Sequence, residues 1–160
     1  MLIRVGNGYD VHAFGPGDHV MLGGVRIGHD HGVVAHSDGD VLLHALCDAL
    51  LGAAGKGDIG QWFPDTDVRW HNAASGRFVT HVRDALAADG WRVVNADLTL
   101  LAQAPRIARH RADIVASVAA LLGVEAGAVN LKATTTEGLG SIGRAEGLAA
   151  MATVLIATSP

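Results

Sequence analysis

The spacing of apolar residues changes several times along this chain, and each change marks an element. Residues 2–14 alternate loosely between apolar and polar side chains, which predicts a strand ending in the Gly15-Pro16-Gly17 turn. Short extended pieces at 20–22 and 25–27 flank Gly23-Gly24, a hairpin turn. In A-H-S-D-G-D-V-L-L-H-A-L-C-D-A-L-L-G the period lengthens. Leu42, Leu46, Ala49, Leu50 and Ala53 recur at helical spacing and predict a helix over about 39–54, with Ser37 and Asp40 resembling a capping box at its start. Gly, Asp and Pro punctuate 55–72, a loop with at most a short turn. A helix near 74–89, a strand near 91–103, a helix near 106–122 stopped by Gly123 and a strand at 128–134 follow. After the glycine-rich T-T-E-G-L-G-S-I-G-R, a last strand over about 146–157 is almost wholly apolar, as a strand buried on both faces would be. Strands and helices alternate without linker, repeat or low-complexity tract, so one layer pair of α+β or α/β type is expected.

Composition narrows the setting. A chain of 160 residues fits one domain over 1–160, large enough to bury ~70 % of its unfolded surface. Hydrophobic residues make up 49 % and aromatics 4 %, so Ala, Val, Leu and Ile build the core. The mean hydropathy of +0.29 is high, and cover by other subunits would account for part of it. The lone Cys47 excludes an internal disulfide, and neither a signal peptide nor a stretch of ~20 apolar residues is present. A cytoplasmic protein is the expectation. The net charge of −4 argues against a nucleic-acid or membrane-surface binder, so positive potential for an anionic ligand would have to be local.

The chemistry concentrates in a few places. In a strand, Asp10 and His12 project to one side and Val11 to the other. His44 lies opposite the Leu42/Leu46/Ala49/Ala53 stripe of the first helix, on a face shared with Asp40 and Asp48. Two imidazoles and a carboxylate suit Zn²⁺ and leave a fourth position open. Asp48 or another carboxylate is then expected to hold the second nitrogen of a ligand imidazole. The plain alternative is a solvated helix face. His36 and Ser37 sit at the N-terminus of the same helix, a ready phosphate site, though Ser37 alone would serve as a cap. Thr134, Thr135, Thr136 and Glu137 follow a strand that carries Lys132 and precede a loop with Arg144, a set suited to phosphates and a harder ion such as Mg²⁺. A β-branched run that merely continues the strand is the alternative there. His29-Asp30-His31 lies between glycines and is expected to be solvated. His19, His71, His81 and His110 receive no role, and Cys47 is a core residue.

The motifs G-Y-D-V-H, A-H-S-D-G-D-V-L-L-H-A-L, G-D-I-G-Q-W-F-P-D-T-D, A-Q-A-P and K-A-T-T-T-E-G-L-G occur in that order over about residues 3–156. They resemble those of the 2-C-methyl-D-erythritol 2,4-cyclodiphosphate synthase family. The resemblance implies an α+β fold with a single layer of mixed four-stranded sheet, ferredoxin-like, its helices packed on one face. It also implies a homotrimer around a central channel, with active sites between subunits. The implied reaction is cyclisation of 4-diphosphocytidyl-2-C-methyl-D-erythritol 2-phosphate with loss of CMP, in the non-mevalonate isoprenoid route. By motif, Asp10, His12 and His44 would bind zinc and Glu137 would ligate Mg²⁺ or Mn²⁺. His36 and Thr135 would stabilise transition-state charge, and Ser37 would join His36 on the substrate phosphates. The same resemblance assigns Asp58, Ile59, Gly60, Phe63, Pro64, Asp65, Thr66 and Asp67 to the methylerythritol pocket. It assigns Ala102, Gln103, Ala104, Pro105, Arg106, Ile107 and Ala108, with Thr134, Thr135, Thr136 and Glu137, to the cytidine diphosphate. Ser141 and Arg144 complete the substrate-binding set, Arg144 with a possible place at the trimer axis. Arg106 stands where Lys is usual in the family and Ser141 where an aromatic is frequent. Many relatives carry a fused cytidylyltransferase domain; a chain of this length is expected to be the stand-alone form. The competing reading of the same residues is a zinc-dependent phosphate-ester hydrolase, and a non-catalytic trimeric module would need no D-x-H plus His44 set at all.

Overall fold

A computed structural model describes residues 1–158. Its elements in order are β1 (Ile3–Gly15), β2 (His19–Leu22), β3 (Val25–Gly28), β4 (Gly32–Val33), α1 (Val41–Ala54), α2 (Ile59–Trp62), α3 (Gly76–Ala88), β5 (Trp91–Leu101), α4 (Arg111–Leu122), β6 (Val129–Thr134), α5 (Gly140–Gly143) and β7 (Gly147–Thr158). Short 3₁₀ turns occupy Val68–Trp70, Ala108–His110 and Ala126–Ala128.

The main sheet runs β4-β1-β7-β5-β6, and β2-β3 forms a separate hairpin. β1 and β5 both pair antiparallel with β7, while β5 and β6 are parallel with α4 as the crossover. The fold is therefore α+β with a mixed sheet, but of five strands and not four. The extra strand, β4, is two residues long and pairs only with Phe14 and Gly15, too short to leave a periodic trace in the sequence. The parallel strands β5 and β6 are direct neighbours, whereas a ferredoxin-like split βαβ unit would place a strand between them.

Helices cover one face only. On β1 the even positions Gly6, Gly8, Asp10, His12 and Phe14 point towards the helix layer, and the odd positions from Ile3 to Ala13 are exposed. β7 follows the same rule: Met151 and Thr153 are exposed between buried Ala150, Ala152 and Val154. Ala149 and Ala157 on the face of Met151 are buried as well, so the expectation that the apolar run is buried on both faces is corrected only at Met151 and Thr153. The helices of this chain bury one side, and the middle of the other is open.

α1 is the central helix, with every residue buried except His44, Asp48, Gly52 and Ala54. It lies almost on the backbone of β1. A Cβ added to Gly6 would sit 1.9 Å from the Ala49 carbonyl oxygen, and one on Gly8 1.9 Å from that of Ala45. Glycine on the strand facing alanine on the helix therefore sets their separation. The helix ends at Gly55, whose left-handed φ of 70° lets its N–H reach the Gly52 carbonyl. Its cap is Asp40 and not Ser37. The buried Asp40 carboxylate accepts from Leu43 N (3.1 Å) and from Gly23 N (2.9 Å) and Gly24 N (2.7 Å) of the β2–β3 turn. Burial raises the Asp40 carboxyl above its ordinary value, against the pull of those three donors.

Candidate metal centre and active site

The closeness of α1 to β1 brings His44 onto the D-x-H pair. Nδ1 of His12 and Nδ1 of His44 each lie 3.1 Å from Oδ2 of Asp10. One donor atom from each of the three residues falls within 4.8 Å of the other two. A tetrahedral ion bonded at about 2.0–2.1 Å sets its ligand atoms roughly 3.3 Å apart, so these separations suit a metal. A second observation agrees. Nδ1 of His12 is buried without a hydrogen-bond partner, a lone pair or proton that nothing in the chain satisfies. The donor set of two imidazoles and a carboxylate therefore fits a divalent ion.

Electrostatics prepares the same centre. Burial raises the Asp10 carboxyl, but the His12 and His44 rings 3.1 Å from its Oδ2 outweigh it and bring it down to about 2. For His12, burial works against the charged ring, yet the Asp10 carboxylate prevails and holds it above its ordinary value.

The far side of His44 was expected to meet Asp48 or another carboxylate. Asp48 instead accepts from Ile59 N at 2.8 Å and anchors the start of α2. Nε2 of His44 meets two hydroxyls, Ser75 Oγ at 2.8 Å and Ser37 Oγ at 3.1 Å. Ser75 Oγ in turn donates to Asp38 Oδ1, and Ser75 N donates to Asp38 Oδ2 at 3.0 Å. Neither Ser75 nor Asp38 was singled out in the sequence. Ser75 at a helix start reads as an ordinary cap, and Asp38 is one of several acids in H-S-D-G-D.

His12 and His44 border a cavity of about 380 Å³. It gathers His12, His36, Ser37, His44, Ile59, Gly60, Phe63, Pro64 and Asp65 of the expected site, together with His71, Trp70 and Phe78, which had no expected role. Phe63 stacks on Phe78 with centroids 4.6 Å apart and meets Trp70 edge-on at 4.7 Å, which makes one wall aromatic. His36 is at the rim, its side chain 80 % exposed and its Nε2 3.8 Å from Asp65. Asp58 caps α2 through Gln61 N at 2.9 Å, and Asp67 pairs with Arg69; neither these two nor Thr66 lines the cavity.

Several of the remaining expected residues gather at the far ends of β5 and β6. Ala102 N donates to Thr134 O at 3.0 Å, and Gln103 Nε2 reaches Gly143 O at 3.4 Å. Thr135 Oγ1 donates to Glu137 Oε1 at 3.3 Å and accepts from Glu137 N at 3.2 Å, while Glu137 itself has a left-handed φ of 53°. Pro105, Arg106 and Ala108 line a separate depression with Ile27, and Ile107 turns into the core. Ser141 is exposed in α5, and Arg144 pairs with Glu146 at 2.6 Å. The register Val11↔Ala149↔Leu101↔Thr134 crosses the sheet from one cluster to the other. Three strand spacings make that about 14 Å within one chain. His29 and His31 pack beside Phe14 and join neither cluster.

Residues 3–157 match the family model of the YgbB family. The chain belongs to the YgbB family. A relative from Xanthomonas axonopodis pv. citri, named 2-C-methyl-D-erythritol 2,4-cyclodiphosphate synthase, is 58 % identical over 96 % of this chain and 92 % of its own. The solved bifunctional IspDF of Campylobacter jejuni superposes with a TM-score of 0.94 at 42 % identity, over 99 % of this chain and 43 % of that longer one. The IspF of Plasmodium falciparum in complex with CDP gives 0.87 at 32 % identity, over 99 % and 97 %. The motifs that suggested this family in the sequence fall within the matched residues. Among the described residues no helix is long and apolar enough to cross a membrane.

Proposed function

We propose that this chain converts 4-diphosphocytidyl-2-C-methyl-D-erythritol 2-phosphate into 2-C-methyl-D-erythritol 2,4-cyclodiphosphate and CMP, as one cyclodiphosphate synthase domain over 1–160. The observation that carries the proposal is the convergence of Asp10, His12 and His44, with the two histidines lining an aromatic-walled cavity. An oxygen of the 2-phosphate attacks the β-phosphorus, the bond from that phosphorus to the α-phosphate oxygen breaks, and CMP leaves with the electron pair. Zinc at Asp10, His12 and His44, with Mg²⁺ or Mn²⁺ at Glu137, supplies charge neutralisation and polarises the phosphates when bound.

The chain's own groups do the rest. The Ser37 hydroxyl and the His36 ring at the cavity rim hold the phosphates, and His36 and Thr135 offset charge that builds up as the bond breaks. The rigid wall of Phe63, Trp70 and Phe78 excludes water from one side of the methylerythritol unit, so an internal oxygen and not water reaches phosphorus. The segments Ala102–Ala108 and Thr134–Glu137, with Ser141 and Arg144, take the cytidine diphosphate. Because Thr134, at the head of the second of these segments, lies about 14 Å from the metal centre of its own chain, the nucleotide half serves the centre of a neighbour.

We assign a homotrimer, with the open sheet face towards a central channel. The exposed Ile3, Val5, Tyr9, Val11 and Met151 on that face support the assignment, since they form an apolar strip that this chain leaves uncovered. The cytoplasm is the proposed location, in keeping with the free, buried Cys47. Incubation with the diphosphocytidyl substrate and Mg²⁺, followed by ³¹P NMR, tests the reaction. Cyclic diphosphate with one CMP per turnover supports it. Linear phosphates would favour the zinc-dependent hydrolase, and no turnover would sink both.

A further inference from the structure

Ser75 is fully buried and opens α3, yet its hydroxyl makes no cap bond to that helix. The hydroxyl proton is instead committed to Asp38 Oδ1, and Asp38 Oδ2 grips the backbone N–H of the same serine. A hydroxyl has one proton and two lone pairs, so with its proton on a carboxylate it can only accept at a second contact. That second contact is Nε2 of His44 at 2.8 Å, which must therefore carry the hydrogen. With a metal bound the ring is neutral, so a proton on Nε2 leaves the Nδ1 lone pair, 3.1 Å from Asp10 Oδ2, to the ion and not to a proton shared with that carboxylate.

We propose that Ser75 and Asp38 are positioning residues that hold His44 in the tautomer whose Nδ1 faces the metal. Ser37 Oγ, 3.1 Å from the same Nε2, can share that hydrogen and accepts from Gly39 N at 3.3 Å, but no carboxylate fixes its own proton, which stays free for a substrate oxygen. The arrangement is a carboxylate–histidine–metal relay with a serine inserted, which lets a carboxylate orient a histidine it does not touch. This inference rests on the metal centre of the proposed function.

Zinc alone is the probe, with no substrate present. In zinc-loaded wild-type protein labelled with ¹⁵N-histidine, long-range ¹H–¹⁵N NMR should show His44 protonated at Nε2 and metal-bound at Nδ1. Competition with a chromogenic chelator should show Ser75→Ala weakening zinc about 10–100-fold, with an unchanged circular dichroism spectrum. Ser75→Thr, which keeps the hydroxyl, should recover most of that loss. If Ser75→Ala does not fold, Asp38→Asn, which weakens the hold on the serine proton, takes its place and should weaken zinc in the same direction. A bare or metal-bound Nε2 overturns the proposal, as does a loss of affinity below tenfold in folded Ser75→Ala. Cyclase turnover measured in parallel separates the two readings. Zinc held with the expected tautomer but no cyclic product sinks the function and leaves the relay. Cyclic product with zinc affinity indifferent to Ser75 sinks the relay alone, and a wild-type protein that binds no zinc overturns both.

Discussion

The two ends of the sheet handle their polar groups in opposite ways. At the metal end, β1 and α1 are packed so closely that His12 and His44 are only 13 % and 12 % exposed at the side chain, and one ring nitrogen is left unsatisfied. At the other end, Thr134, Thr135 and Glu137 are exposed and bond among themselves. The first region has its geometry imposed by core packing before any ligand arrives. The second is a loop whose hydroxyls and carboxylate can exchange local partners for a ligand at little cost. A rigid half and an adaptable half, about 14 Å apart, are what a site shared between two subunits would combine.

The largest effect should follow from removing a group at the rigid end. His44→Ala should lose zinc and lower turnover by at least about 10²–10³-fold, since a bound metal contributes several kcal/mol at the transition state. Metal analysis and kinetics on the folded variant check this, and full zinc occupancy would remove His44 from the ligand set. Next comes the packing that sets the geometry. Gly8→Ala drives a Cβ into the Ala45 carbonyl and should cost about 1–3 kcal/mol or more, with a fall in Tm of several degrees. Gly127→Ala is the counterpart near β6, where a Cβ meets nothing within 4 Å, and should stay within about 0.5 kcal/mol. Equal Tm values for the two glycine variants would break the contrast.

Protons should compete with metal only at the rigid end. Asp10 stays ionised down to about 2, whereas His12 gains its proton above its ordinary 6.5 as pH falls. Ligand imidazoles must be unprotonated, so apparent zinc affinity should be level at pH 8 and weaken by up to about tenfold per pH unit below the His12 value. A flat titration from pH 8 to 5 would exclude His12 as a ligand. The smallest change belongs to the adaptable end. Glu137→Gln should raise the Mg²⁺ concentration for half-maximal turnover several-fold, since one charged oxygen ligand is lost, while zinc content and Tm stay put. An unchanged Mg²⁺ titration would take Glu137 out of that role.

Much of this was legible in the chain. The D-x-H alternation put Asp10 and His12 on one face, and the helical period put His44 on the polar stripe of α1, as found. Strand and helix positions followed from period and punctuation to within a few residues, except before α4. There the expected helix from about 106 starts at Arg111, after a 3₁₀ turn. Other features left no pattern. β4 is too short, and the exposure of Met151 depends on which face the helices choose to cover.

By itself the sequence determined the donor types, the face they share and the family, because these depend on residue identity and on periods of two and 3.6. Only the tertiary structure decided which groups meet. Gly6 and Gly8 look like loose strand positions until Ala45 and Ala49 are seen pressed onto them, and Ser75 looks like a cap until Asp38 is seen to take its proton. His44 and Asp10 are 34 positions apart and His44 and Ser75 are 31. Contacts at such range are fixed by the packing of helix on sheet, which no local pattern encodes.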